Sequence, residues 1–147
     1  MVKSLAFFQG GIVPIDQAKV SVMTHALHYG TAVFEGIRGN WNKNKNSMYI
    51  FRMKEHYERL IQGCKMMMMD IPYDVDDLCN ITVDLIQKSG LKEDVYIRPL
   101  VYKSEERVAN LMLHKLSSDF TLIIVPFGAY IDTDGAVISN GSWYHVA

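Results

Sequence analysis

Residues 24–38, Thr-His-Ala-Leu-His-Tyr-Gly-Thr-Ala-Val-Phe-Glu-Gly-Ile-Arg, carry a histidine- and aromatic-rich turn closed by Gly30 that runs straight into an alternating segment. Extended geometry over 32–38 puts Phe34, Gly36 and Arg38 on one face and Val33, Glu35 and Ile37 on the other. One face then offers an aromatic wall, a position with no side chain and a fixed cation. That set suits an amphipathic small molecule with an anionic group better than it suits a packed core. The run Val95-Tyr96-Ile97-Arg98-Pro99-Leu100-Val101-Tyr102 repeats the theme, with Tyr96, Arg98, Leu100 and Tyr102 alternating against Val95, Ile97 and Val101. Two strands that each present an aromatic and then an arginine can build one pocket between them.

Arg38 and Arg98 sit mid-strand among apolar neighbours, where an unpaired charge is costly. Each must meet an anion, a carboxylate side chain or solvent, and pattern alone leaves ion pairing and ligand binding both open. Arg59, flanked by Glu58 and near Glu55, reads as a solvated arginine with a partner on its own helix. His25 and His28 could suggest a metal pair, but no third ligand cluster lies near, so structural hydrogen bonding is the better reading.

Outward from this stretch the chain reads as strands, then helices, then strands. Residues 4–8 and 11–15 form a hairpin around Gly10-Gly11, and strands at about 32–41 and 48–52 flank the polar turn 42–47. Tyr57, Leu60, Ile61, Cys64, Met67 and Met68 recur at helical spacing over 54–69, with Pro72 as the stop. A second helix starts at the N-cap Asp74, buries Leu78, Ile81, Thr82, Leu85 and Ile86, and ends at Gly90. A strand at 94–103, a loop at 104–118 and an apolar run at 120–125, read as a strand buried on both faces, follow. The fold class is α+β: a mostly antiparallel sheet with two helices on one face. Residues 1–130 read as one domain, 131–135 as a linker and 136–147 as the truncated start of a second domain.

The 147 residues are 49% apolar with a formal net charge of −1, which gives no basic surface for nucleic acid and no charged tail. No apolar stretch approaches a membrane span, and the amino-terminal apolar block is too short for a signal-peptide core, so a cytoplasmic location is expected. Cys64 and Cys79 belong to no metal or redox motif. The Met66–Met69 run reads as adaptable packing.

The segments HALHYGTAVFEGIR at 25–38, FRMKEHYERL at 51–60, YIRPLVY at 96–102 and PFGAYI at 126–131 together resemble the branched-chain amino-acid aminotransferases, class IV, fold-type IV pyridoxal-phosphate enzymes. The resemblance covers nearly the whole chain and corresponds to the first half of such an enzyme. It implies pyridoxal 5′-phosphate as cofactor, with Arg59 at its phosphate. It implies branched-chain amino acids, glutamate and 2-oxoglutarate as substrates. Phe34, Tyr29, Phe127 and Tyr130 would then be the apolar wall, Gly36 the space for ligand, and Tyr96 a partner of the substrate α-carboxylate. Arg98 would accept the distal carboxylate of glutamate, and Arg38 would support it. Tyr29 and the loop 104–113 would serve the neighbouring subunit of a homodimer or higher homo-oligomer; Ala109-Asn110 stands where relatives usually keep a glycine beside an apolar residue.

The lysine that forms the Schiff base lies in the family's second domain, shortly beyond Ser142-Trp143-Tyr144. The lysines at 43, 45, 54, 65, 88, 92, 103 and 115 read as solvated. The chain alone therefore has no catalytic residue of its own and is expected to be inactive. Two alternatives stand beside the leading one. A D-amino-acid aminotransferase or aminodeoxychorismate lyase on the same fold is disfavoured by VFEGIR and YIRPLVY. A truncated, non-catalytic module is the other.

Overall fold

The computed structural model describes residues 4–128. Tyr130, the expected linker at 131–135 and the expected second-domain segment at 136–147, including Ser142-Trp143-Tyr144, lie outside the described residues.

Gln9 and Gly10 both take positive φ (48° and 82°), the two-residue turn whose twist matches that of its flanking strands. Strand β1 (Leu5–Phe8) therefore folds directly onto β2 (Gly11–Pro14), with Phe8 opposite Gly11. The turn is thus Gln9-Gly10, and Gly11 already belongs to the strand. The remaining strands are β3 (Ala32–Phe34), β4 (Ile37–Asn42), β5 (Ser47–Ile50), β6 (Val95–Lys103) and β7 (Ser118–Pro126). They form one antiparallel sheet in the order β2-β1-β7-β6-β4-β5, with β3 pairing β6 beside β4.

The strand expected at 32–41 is split at Glu35-Gly36, and Pro99 explains the gap. Glu35 donates its N–H to the Pro99 carbonyl at 3.1 Å, but proline has no N–H to return. The register does not slip: Phe34 faces Leu100 before the gap and Ile37 faces Ile97 after it. Phe34, Gly36 and Arg38 consequently stay on one face, as alternation requires.

Helices α2 (Met53–Met66) and α3 (Val75–Ser89) cover the other face. Their Tyr57, Leu60, Leu78 and Leu85 pack on Phe7, Ile37, Val95, Ile97, Val101 and Leu122 of the sheet. The Tyr57 hydroxyl meets Thr82 Oγ1 between the helices. Asp74 and Asp77 form a reciprocal capping box, and Gly90 (φ 71°) closes α3 in the left-handed region. Helix α2 stops at Met66, well before Pro72. Met68 then turns at φ 53° and is exposed, while Met69 fills the core position expected of it.

Two further expectations fail on burial. Strand β7 is not buried on both faces: Phe120 and Leu122 are buried under the helices, Thr121 and Ile123 only half-buried on the opposite face, and Val125 exposed. Lys103 is not solvated. It is 1% exposed, and its ammonium donates to the carbonyls of Met68 and Leu116, tying the end of α2 to the segment before β7. Burial lowers its pKa. Cys64 and Cys79 are free thiols. Among the described residues no helix is long and apolar enough to cross a membrane.

Candidate functional site

The face of the sheet away from α2 and α3 holds the residues that the alternation singled out. Arg38 lies opposite Tyr96 in the β4–β6 ladder, and Phe34 opposite Leu100 in the β3–β6 ladder. Between them the Arg98 guanidinium carbon lies over Phe34, 4.1 Å from the ring centroid, and 5.2 Å from that of Tyr96. Its Nε donates to the Tyr96 hydroxyl at 2.8 Å. The Tyr96 ring stacks on Phe127 (centroids 6.3 Å, planes 29° apart), and Arg38 sits 4.8 Å over the same Phe127.

Gly36 makes this arrangement fit. A Cβ there would stand 2.8 Å from the Tyr96 hydroxyl and 3.2 Å from its ring, so any side chain would push the phenol aside. Phe34, at 55% exposure, is an outward-facing wall and no part of the core.

The two strand arginines resolve differently. Arg38 has a carboxylate partner, Asp94, at 3.5 Å, and Asp94 also receives the Trp41 N–H and the Asn40 amide. Arg98 has no carboxylate within ion-pair distance among the described residues, and its terminal nitrogens make no hydrogen bond there. Along the same face, past Leu100, a cavity of about 350 Å³ opens between the sheet and the segment 15–27. Its lining of Phe8, Ile15, Val20, Leu27, Leu100 and Ile123 is almost wholly apolar.

Arg59 lies on the helix side of the sheet, on α2. Glu55, its expected neighbour, pairs instead with Arg52. Arg59 binds Glu35 with two short bonds, Nε to Oε1 and Nη2 to Oε2, both 2.6 Å. The Glu35 side chain is only 9% exposed, whereas that of Arg59 is 69% exposed. His56 Nδ1 also reaches Glu35 Oε2 at 2.9 Å; a carboxylate can only accept, so Nδ1 carries the proton and cannot also accept from Arg59 Nη2, 3.3 Å away. The Arg59 hydrogen bonds hold the Glu35 carboxyl below its ordinary value, burial pushes it the other way, and His56 lowers it further.

Tyr29 belongs to a separate cluster. Helix α1 (His25–Tyr29), one turn closed by Gly30 at φ 64°, stacks the Tyr29 ring on His25 at 4.4 Å. The Tyr29 hydroxyl accepts the Ala109 N–H at 2.7 Å. His25, fully buried, donates Nε2–H to the Asn110 carbonyl at 2.7 Å, and its Nδ1 lies 2.9 Å from the Thr31 hydroxyl. His28 donates to the Val22 carbonyl. Both histidines are therefore spent on structure. Ala109 takes φ 57°, the left-handed region that favours glycine, at the position where the resemblance leads one to expect a glycine nearby.

The open face thus gathers Phe34, Gly36, Arg38, Tyr96, Arg98 and Phe127, while Arg59 and Tyr29 stand apart from it. Sequence reasoning missed Glu35, His56 and Asp94, each of which fixes an arginine or the ion-pair network around it. The inward alternation of Glu35 was the one available signal: a carboxylate on the core face needs a cation.

Residues 32–140 match the family model for amino-transferase class IV. A relative from Aquifex aeolicus, named as a probable branched-chain-amino-acid aminotransferase, is 40% identical over 94% of this chain and 44% of its own length. The crystal structure of a branched-chain aminotransferase from Thermoproteus uzoniensis with norvaline aligns at a TM-score of 0.81 and 35% identity, over 89% of this chain and 43% of that one. The branched-chain amino acid aminotransferase from Thermobaculum terrenum, in its PLP-bound holo-form, aligns at 0.77 and 29% identity, over 95% and 44%. The chain spans less than half the length of these relatives. With the family model covering most of the sequence, and the fold in agreement, the chain belongs to the class IV amino-transferase family.

Proposed function

We propose that this chain forms the substrate-facing part of a cytoplasmic, pyridoxal-phosphate-dependent branched-chain amino-acid aminotransferase. That enzyme would pass an amino group between leucine, isoleucine or valine and 2-oxoglutarate. The observation that carries this reading is Arg98, held over Phe34 with its terminal nitrogens unengaged among the described residues. Such an enzyme must hold a leucine side chain and a glutamate side chain in one place. Phe34 and Phe127 give the apolar side chain a surface, and the edge of the Arg98 guanidinium gives a distal carboxylate two parallel N–H donors. Arg38, already paired with Asp94, adds field and packing and is the weaker anion acceptor of the two. The Tyr96 hydroxyl accepts from Arg98, so its own proton is free to be donated to a substrate α-carboxylate.

The residues present fit one end of pyridoxal phosphate. Arg59 presents a held guanidinium at the surface, and Nη1, on the edge away from Glu35, is unengaged among the described residues, as a phosphate monoester requires. When bound, the cofactor supplies the carbonyl and the electron sink through which the amino group is exchanged. The reacting lysine would come from sequence outside the described residues: Lys54 and Lys88 pair with Asp76 and Asp84, and Lys103 is buried against carbonyls. Tyr29 and the 104–113 loop, joined through the Ala109 N–H, would act as a unit toward a neighbouring subunit.

The test is amino transfer by the full-length protein that carries this chain, supplied with pyridoxal phosphate. Leucine, isoleucine and valine should each convert 2-oxoglutarate to glutamate, with D-alanine inert. Turnover of D-alanine in preference to the branched-chain L-amino acids would sink the substrate assignment.

A further inference from the structure

We infer that Glu35 is a positioning residue that aims the Arg59 guanidinium at the cofactor phosphate; the inference rests on the assignment of Arg59 made above. Arg59 is a long, largely exposed side chain on α2, and left alone it would sample many rotamers. Glu35 removes that freedom from a different element. Its main chain is fixed to Pro99 in the sheet, its carboxylate is buried, and both oxygens meet Arg59 at 2.6 Å. The His56 N–H, on the same helix as Arg59, holds the Glu35 oxygen that Arg59 Nη2 uses.

A guanidinium has two edges that can take an oxyanion side by side. Glu35 occupies the one formed by Nε and Nη2. The edge that carries Nη1 then points away from the carboxylate, with Nη1 unpartnered among the described residues. The ion pair therefore converts a mobile surface cation into a directed donor before the phosphate arrives, the usual gain of preorganisation. Charge alone predicts the opposite effect, because a carboxylate beside Arg59 cancels attraction for an anion. The two accounts differ in sign, which makes them separable.

The experiment uses the full-length protein and compares the affinity for pyridoxal 5′-phosphate with that for pyridoxal, which lacks the phosphate. Their ratio reads phosphate recognition alone. Arg59→Gln should collapse the ratio. Glu35→Gln and Glu35→Asp should each lower it by about tenfold, with pyridoxal affinity unchanged. Glu35→Asp keeps the charge and only retracts the carboxylate, so it stands in if the glutamine variant does not fold. The Arg59 Nε–H resonance, measured without cofactor, should be protected from exchange in the parent and lose that protection in both Glu35 variants. If Arg59→Gln collapses the ratio while both Glu35 variants keep or raise it, Glu35 is only a counter-ion and the inference is wrong. If Arg59→Gln leaves the ratio intact, the phosphate assignment fails and this inference with it.

Discussion

Ile97 and Arg98 are neighbours in β6, yet one is fully buried beneath the helices and the other lies half-buried against a phenylalanine ring on the uncovered face. The contrast runs the length of the sheet. On the covered face Phe7, Ile37, Val95 and Leu122 meet α2 and α3 by filling volume. On the open face Phe34, Arg98, Tyr96, Phe127 and Arg38 meet one another by stacking and direction. Even the glycines divide this way: Gly63 of α2 leaves room for Val33, and Gly36 leaves room for the Tyr96 phenol. One alternating pattern thus builds a core and a recognition surface back to back.

If that division is real, matched substitutions on the two faces should behave differently. The largest difference is expected between Ile97→Ala and Phe34→Ala. The first empties a closed core site and should cost about 2–5 kcal/mol, whereas the second should cost less than about 1 kcal/mol, both read by denaturant unfolding. Phe34→Ala should instead show its effect on the KM for leucine in the full-length protein.

The glycine pair gives a smaller and sharper contrast. In Gly63→Ala the new methyl would stand 2.7 Å from Val33 Cγ1. Overpacking of about 1–3 kcal/mol then outweighs a gain of about 1 kcal/mol in helix propensity, leaving a net loss near 1 kcal/mol. In Gly36→Ala a comparable approach meets only the end of Tyr96. Unfolding should shift by less than about 0.5 kcal/mol, and substrate KM should rise several-fold as the phenol moves. Equal losses of stability at the two glycines would break the distinction.

The smallest effect is expected on acidification. The Glu35 carboxyl is held below its ordinary 4.5, first by its hydrogen bonds to Arg59. A lowered acid pKa contributes stability that is complete above 4.5 and disappears as pH falls through the lowered value. The exposure of Arg59 weakens this contribution by solvent screening. The parent should therefore lose slightly more stability below 4.5 than Glu35→Gln does; parallel acid unfolding curves would mean that the pair adds nothing.

How far the sequence foretold this depends on the range of each interaction. Period-2 alternation was enough to put Phe34, Gly36 and Arg38 on one face with Tyr96 and Arg98, because face membership is local. It could not show that Pro99 interrupts the ladder, since that requires knowing which strand lies opposite. Strand β7 reads as a continuous run for a related reason: Ile123 and Val125 are apolar on the open side, and the single polar Thr121 does not restore the alternation. Lys103 looked solvated because it precedes a polar loop; only the fold brings Met68 and Leu116 carbonyls to its ammonium. The pairing of Glu35 with Arg59 joins a strand break to a helix and has no sequence period to announce it.

Arg98 is the residue asked to serve both kinds of side chain, so the deciding measurement is Arg98→Gln in the full-length protein, with leucine and glutamate assayed separately as amino donors. The expected result is at least about a tenfold rise in KM for glutamate, with leucine changed by less than about twofold, because only glutamate presents a distal carboxylate. An equal rise for both donors, or none for either, would contradict a single wall that serves an apolar and an acidic side chain by turns.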